Sequence, residues 1–140
     1  MSVARPGFYS PIDNAFHGTG GFSEMIYDLA ARTAAPATIT DFYNWGAPTL
    51  VVDIHATAKT ATPSITFALQ RYNTAKAAWE TLLTSAALTD AGDLQLVISP
   101  WVESVANVSL KEVAPYHFRV LPIHGDADSL TYAVSYETRG

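Results

Sequence analysis

Four histidines, His17, His55, His117 and His124, are the first residues in this chain that could ligate a metal or move a proton. None stands four residues from another, no H-E-x-x-H pattern occurs, and cysteine is absent, so the spacing that builds zinc sites is missing. His55 falls on the polar face of an alternating stretch, where a histidine is ordinary surface. The run Gly125-Asp126-Ala127-Asp128-Ser129 has two carboxylates two residues apart, as at the start of a calcium loop, but lacks the later glycine and the distant bidentate glutamate. Asp and Gly at that density predict a turn. Serines and threonines are abundant, yet none sits in a G-x-S-x-G frame, and strand and turn preferences explain them. Asp53, Glu80, Glu103 and Glu112 could converge as a glycosidase pair, but nothing singles out two of them. The sequence therefore assigns no catalytic, cofactor-binding or metal-binding residue, implies no cofactor, and reads as a non-enzyme.

Residues suited to binding are easier to name. Trp45, Trp79 and Trp101 could form a sugar-stacking platform, although a tryptophan in a small sandwich more often lies in a core or interface. Phe8, Tyr9, Ile12 and Phe16 stand in a segment otherwise punctuated by Pro6, Gly7, Pro11, Gly18, Gly20 and Gly21. That segment, residues 1–21, reads as an extended N-terminal arm too apolar to be a solvated linker. Its aromatic side chains either fold back over their own domain or anchor on a neighbouring subunit.

Residues 22–140 must supply the scaffold. Leu50, Val52, Ile54 and Ala56 alternate with Val51, Asp53, His55 and Thr57, and after a loop Ile65, Phe67 and Leu69 alternate with Thr66, Ala68 and Gln70. Period two on both sides of a turn predicts a β-hairpin from Thr49 to Arg71, with Pro63 just ahead of its second strand. Leu94, Leu96 and Ile98 form another alternating run. Phe118 to Ile123 and Leu130 to Glu137 predict a closing hairpin around the Gly125–Ser129 turn. Two segments are ambiguous: Phe22 to Arg32 fits a short helix or an edge strand, and Asn73 to Thr89 has helical propensity but fits a turn followed by a strand. Thr38 to Trp45 has strand composition, and Trp101 to Glu112 reads as a connection. The expected fold is all-β, a single β-sandwich or jelly-roll-like barrel of about seven or eight antiparallel strands.

At 140 residues the chain is long enough to bury a core without disulfides, and its lack of cysteine suits assembly in a reducing cytoplasm. A formal net charge of -5 with no cluster of Lys or Arg argues against nucleic acid as a partner. No apolar run approaches the roughly 18 residues that cross a bilayer as a helix, and residues 1–20 lack a signal-peptide layout, so no membrane association is expected. Charged residues make up only 15% of the chain, a share low enough to suggest that a partner covers part of its surface.

From about Thr49 onward an ordered set of pieces can be read: TLVVDIHATA, TPSITFALQ, W-x-x-LL-T-S-A-A-L-T with a following Gly turn, LQLVISP, APYHFRV and HGDADSLTYAVS. This set resembles a family of small structural proteins encoded among the head genes of tailed bacteriophages, especially those of actinobacterial hosts. Ala114-Pro115 stands where that family has Leu-Pro, Phe118 stands for its aromatic residue, and Ala133 replaces a common Ser. The resemblance implies a capsid decoration, or cement, protein on the outer surface of the virion head. Its partners would be the major capsid protein and copies of itself, as a trimer, with assembly in the host cytoplasm. Other virion positions, in the tail tube, tail tip or head-tail joint, and a carbohydrate-binding module for host attachment are the alternatives. The arm is less well covered by the resemblance, and its clasping role rests on its aromatic residues. Arg119, in the F-R-V strand, is the charge expected to matter structurally; a simple cross-strand ion pair with Asp or Glu is the plainer expectation.

Overall fold

The computed structural model describes Tyr9–Ser10, Ala15–Phe16 and residues 22–140. Within the arm, β1 (Tyr9–Ser10) and β2 (Ala15–Phe16) pair antiparallel, with Tyr9 opposite Phe16. Phe8 and Ile12 lie outside the described residues. The remaining strands are β3 (Phe22–Arg32), β4 (Asp41–Tyr43), β5 (Thr49–Lys59), β6 (Ile65–Asn73), β7 (Ala78–Thr84), β8 (Gly92–Ser99), β9 (Ser109–Lys111), β10 (His117–His124) and β11 (Leu130–Arg139). No helix occurs among the described residues. Two sheets, ordered β4-β10-β6-β7 and β3-β11-β5-β8-β9, pack face to face as a sandwich, and no barrel closes.

Alternation in the sequence becomes burial in the sandwich. From one sheet Leu50, Val52, Ile54 and Ala56 of β5, Leu96 and Ile98 of β8, and Leu130, Tyr132, Val134 and Tyr136 of β11 point inward. They meet Ile65, Phe67 and Leu69 of β6 and Phe118 and Val120 of β10 from the other. Burying an apolar side chain of this size stabilises by roughly 1.5–3 kcal/mol. Three tyrosines, Tyr27, Tyr132 and Tyr136, carry their rings inward, and the Tyr27 hydroxyl donates to the Val120 carbonyl, 2.7 Å away in the opposite sheet. Tyr136 donates to Glu24 at 2.8 Å. Burial pushes the Tyr27 phenol up to about 12 and raises that of Tyr136 further, so both remain donors.

Neither expected hairpin forms. β5 pairs with β11 and β8, whereas β6 pairs with β10 and β7, so the Thr49–Arg71 stretch crosses from one sheet to the other. The same holds for β10 and β11. Period two reports which face a side chain takes, not which strand lies beside it, and two strands facing one core from opposite sheets have the same pattern. Links of five residues each, 60–64 and 125–129, make the two crossings and are bonded to each other. Gly125 N–H donates to the Ser64 carbonyl at 2.7 Å, and Thr60 N–H donates to the Ser129 carbonyl at 2.9 Å. The Asp128 carboxylate accepts from Thr62 N–H at 3.3 Å and that of Asp126 from Asp128 N–H at 3.0 Å, so the acidic turn ties loops together. A Cβ at position 125 would lie 3.1 Å from the Ser64 oxygen, a close approach that suits glycine.

Three further differences follow from local chemistry. The sandwich has nine strands, more than the seven or eight expected, and β8 and β9 run parallel, because the Trp101–Glu112 connection folds back and lays Ser109–Lys111 along β8. The 22–32 segment is an edge strand, with pairing irregularities against β11 between Tyr132 and Ser135. The 73–89 segment is a turn followed by β7, with Ala77 at a φ of 52°. Of the Thr38–Trp45 stretch, only Asp41–Tyr43 pairs.

Candidate functional site

The outer face of the four-stranded sheet gathers the chain's chemistry-bearing side chains at one end. In β4, Phe42 points inward against Phe118 and Tyr136, so Asp41 and Tyr43 point out. Tyr43 pairs with His117 and Tyr72 with Trp79, while the pairing of Phe118 with Arg71 sets His117 beside Tyr72. The result is a row of four rings, one from each strand. Tyr43 and His117 stack with centroids 4.4 Å apart and planes 19° apart. His117 lies 5.4 Å from Tyr72 and 5.0 Å from Trp79. Cross-strand aromatic pairs of this kind each contribute roughly 0.2–1 kcal/mol.

A polar row runs parallel to the rings. Asp41 pairs with Arg119, Arg119 with Gln70 and Gln70 with Thr81. Arg119 Nε donates to Gln70 Oε1 at 2.8 Å, and Gln70 Nε2 donates to Thr81 Oγ1 at 3.1 Å. The Arg119 guanidinium sits 4.4 Å from the centre of the Trp79 ring. Among the described residues its partners are thus an amide and an indole, and no carboxylate forms the plainer cross-strand ion pair with it. His117 Nε2 hydrogen-bonds Asp41 Oδ2, and that bond holds the Asp41 carboxyl below its ordinary range. At the β6–β7 turn Glu80 accepts from Lys76 Nζ at 2.7 Å, Asn73 Nδ2 at 3.1 Å and Arg71 Nε at 3.2 Å. Those donors, Lys76 foremost, hold the Glu80 carboxyl down at about 2.

Two loops finish the site. The Asn44 amide accepts from Ala47 N–H at 3.0 Å and donates to the Ala47 carbonyl at 2.7 Å, closing a tight loop in which Gly46 takes a φ of 109° and Trp45 projects outward. Asn44 N–H donates to the Tyr116 carbonyl at 2.7 Å and Ala114 N–H to the Pro48 carbonyl at 2.9 Å, which fixes the second loop against the first. Tyr116 then stands 5.2 Å from Tyr43 and meets Trp45 edge to face at 5.5 Å. Tyr43, Tyr72, Tyr116 and His117, with Arg71 and Thr74, line a hollow of about 500 Å³. The arrangement suits the holding of an amphipathic ligand; its polar groups hydrogen-bond and its rings stack.

Of the three tryptophans, the fold brings Trp45 and Trp79 into this cluster and leaves Trp101 on the turn after β8, in the other sheet, 70% exposed. Trp79 has Arg119 over its ring and two other rings at its sides, so the three-tryptophan platform does not assemble. His55 bonds Asp93 at 2.5 Å and Asp53 accepts from Gln95 Nε2 at 2.9 Å, both as exposed pairs between β5 and β8. His124 Nε2 lies 3.1 Å from the Tyr132 hydroxyl. Asp53, Glu80 and Glu103 are engaged with Gln95, the β6–β7 turn and Lys111 respectively, and do not form a pair. His17 lies outside the described residues. Among those described, no three His, Asp or Glu side chains are grouped to hold a metal, and no helix is long and apolar enough to cross a membrane. Sequence reasoning missed Tyr43, Tyr72 and Tyr116, because they converge only through the pairing of β10 with β4, 74 residues apart at Tyr43–His117, and with β6; the aromatic content of Thr38–Trp45 was the available signal. No protein-family profile, curated protein or solved structure matches the chain.

Proposed function

We propose that the protein is a structural component of a tailed-phage virion, a decoration protein that binds the outside of the head and stabilises the shell. The observation that carries this reading is the order of motifs from Thr49 to the end of the chain. Those pieces are the strands β5, β6, β7, β8, β10 and β11, which interleave through both sheets, so the likeness to phage head proteins takes in the greater part of each sheet and leaves out β3, β4 and β9. A surface with few charges and a cluster of half-exposed rings supports a binding role.

The mechanism is association. A decoration protein that bridges neighbouring copies of the major capsid protein binds the assembled lattice better than the free subunits, and that differential affinity stabilises the shell by mass action. The arm bearing Phe8, Tyr9, Ile12 and Phe16 is the proposed clasp, and a homotrimer is the proposed form. Deletion of residues 1–21 is expected to leave a folded domain by circular dichroism and to abolish cosedimentation with phage heads. Retained cosedimentation removes the arm from the mechanism. Electron microscopy of particles carrying labelled protein tests the location: label over the whole shell supports decoration, and label at one vertex or along the tail assigns the protein to the joint or tail.

A further inference from the structure

The six tyrosines of residues 22–140 divide cleanly, and the division points to a ligand. Tyr27, Tyr132 and Tyr136 are buried and each hydroxyl has a partner, in Val120, His124 and Glu24. Tyr43, Tyr72 and Tyr116 line the hollow beside β4, and none of their hydroxyls bonds a described residue. Thr74 adds a fourth such hydroxyl. Arg71 commits Nε and Nη2 to Glu80, leaving Nη1 with no partner among the described residues. Rings that present apolar faces and edges are thus set beside several unspent donors and acceptors in one concavity.

We propose that this hollow is a binding site for a pyranose unit of a glycan. A pyranose has an apolar face of C–H groups and a rim of hydroxyls, and the hollow offers the complement of both. A wholly apolar ligand would strip water from the phenols and from Arg71 without replacing its hydrogen bonds, at roughly 1–3 kcal/mol for each group. A simple anion could use Arg71 but would leave the apolar surface of the tyrosine rings without a partner. The volume, about 500 Å³, falls within the roughly 300–1,000 Å³ of small-molecule sites. The sugar stands against the Tyr43–Tyr72–Tyr116 wall, a different surface from the three-tryptophan platform. It does not depend on the capsid reading, and failure to bind heads leaves it standing.

The test is an array of immobilised neutral and acidic glycans probed with the labelled full chain, followed by titration of the best glycan. Tyr116 is 55% exposed, so Tyr116→Ala is expected to fold normally. Its affinity should fall by at least about tenfold, as loss of a central aromatic anchor does. Tyr116→Phe, which keeps the ring, should lose less, Thr74→Val should weaken binding measurably, and Trp101→Ala on the other sheet should bind as the wild type does. A blank array overturns the proposal, as does glycan binding that survives both Tyr116→Ala and Thr74→Val. Binding of a proline-rich peptide in place of any glycan, the other ligand that aromatic grooves take, also overturns it.

Discussion

Phe42 and Tyr43 are neighbours in β4 and open onto two different aromatic clusters. Inward, Phe42 joins Phe118, Tyr136 and Phe22 in a cluster centred on the buried rings of Phe118 and Tyr136. Outward, Tyr43 joins His117, Trp45 and Tyr116 in a cluster that remains open to water, with Tyr43 itself 44% exposed. The residue types are nearly the same. What differs is the fate of the hydroxyls: interior tyrosines use theirs to tie strands together, and exterior ones keep theirs for another molecule. Stability and binding have been separated by one step along a strand.

That contrast can be broken by mutation, and the largest effect belongs to the interior. Phe118→Ala, in a fully buried position touching Phe42 and Tyr136, should destabilise the domain by about 3–5 kcal/mol in urea unfolding. Next comes Tyr27→Phe, which leaves the buried Val120 carbonyl without the donor that reaches it from the other sheet. A cost of about 1–2 kcal/mol is expected, read from the same experiment. The equivalent deletion outside, Tyr116→Phe, should change stability by no more than about 0.5 kcal/mol. A larger loss would show that the outer cluster is structural, and would erase the distinction.

The smallest effect is one of pH. Burial, aided by Arg32 and opposed by Asp126, holds His124 below its ordinary value of 6.5. The unfolded chain therefore takes up this proton more readily than the folded one. The stability that goes with neutral His124 is fully present above about pH 6.5 and is lost as pH falls from there toward the depressed folded value. His124→Phe should flatten that part of a stability-versus-pH curve. An unchanged slope would mean that His124 does not carry it.

Much of the scaffold was legible. The inward rows of β5, β8, β10 and β11 follow directly from alternation, because a sandwich strand has one dry face. In β3 the alternation fails for a physical reason: irregular pairing with β11 leaves Ile26 and Tyr27 adjacent and both buried, which in sequence resembles helical spacing. Partner choice was not legible, since β5 and β6 are equally amphipathic whether they pair or face each other. The outer cluster was half legible. Trp45 and Trp79 announced themselves by type, but the hollow is lined by tyrosines from two strands and a loop, and only long-range register brings them together.

The paired crossings at 60–64 and 125–129 bear on how the chain reaches this state. They place β11 between β3 and β5, so the five-stranded sheet stays split until Leu130–Arg139 has left the ribosome. The β6–β7 hairpin is the one antiparallel pair that consecutive strands of the sandwich form, and it carries the Glu80 clasp at its turn. Folding should begin there and finish with the last strand inserted down the middle, a slow route of the kind that distant contacts impose. That order leaves the core-facing rows of β5 and β8 without their central partner during synthesis, exposed to the same strands of neighbouring nascent chains.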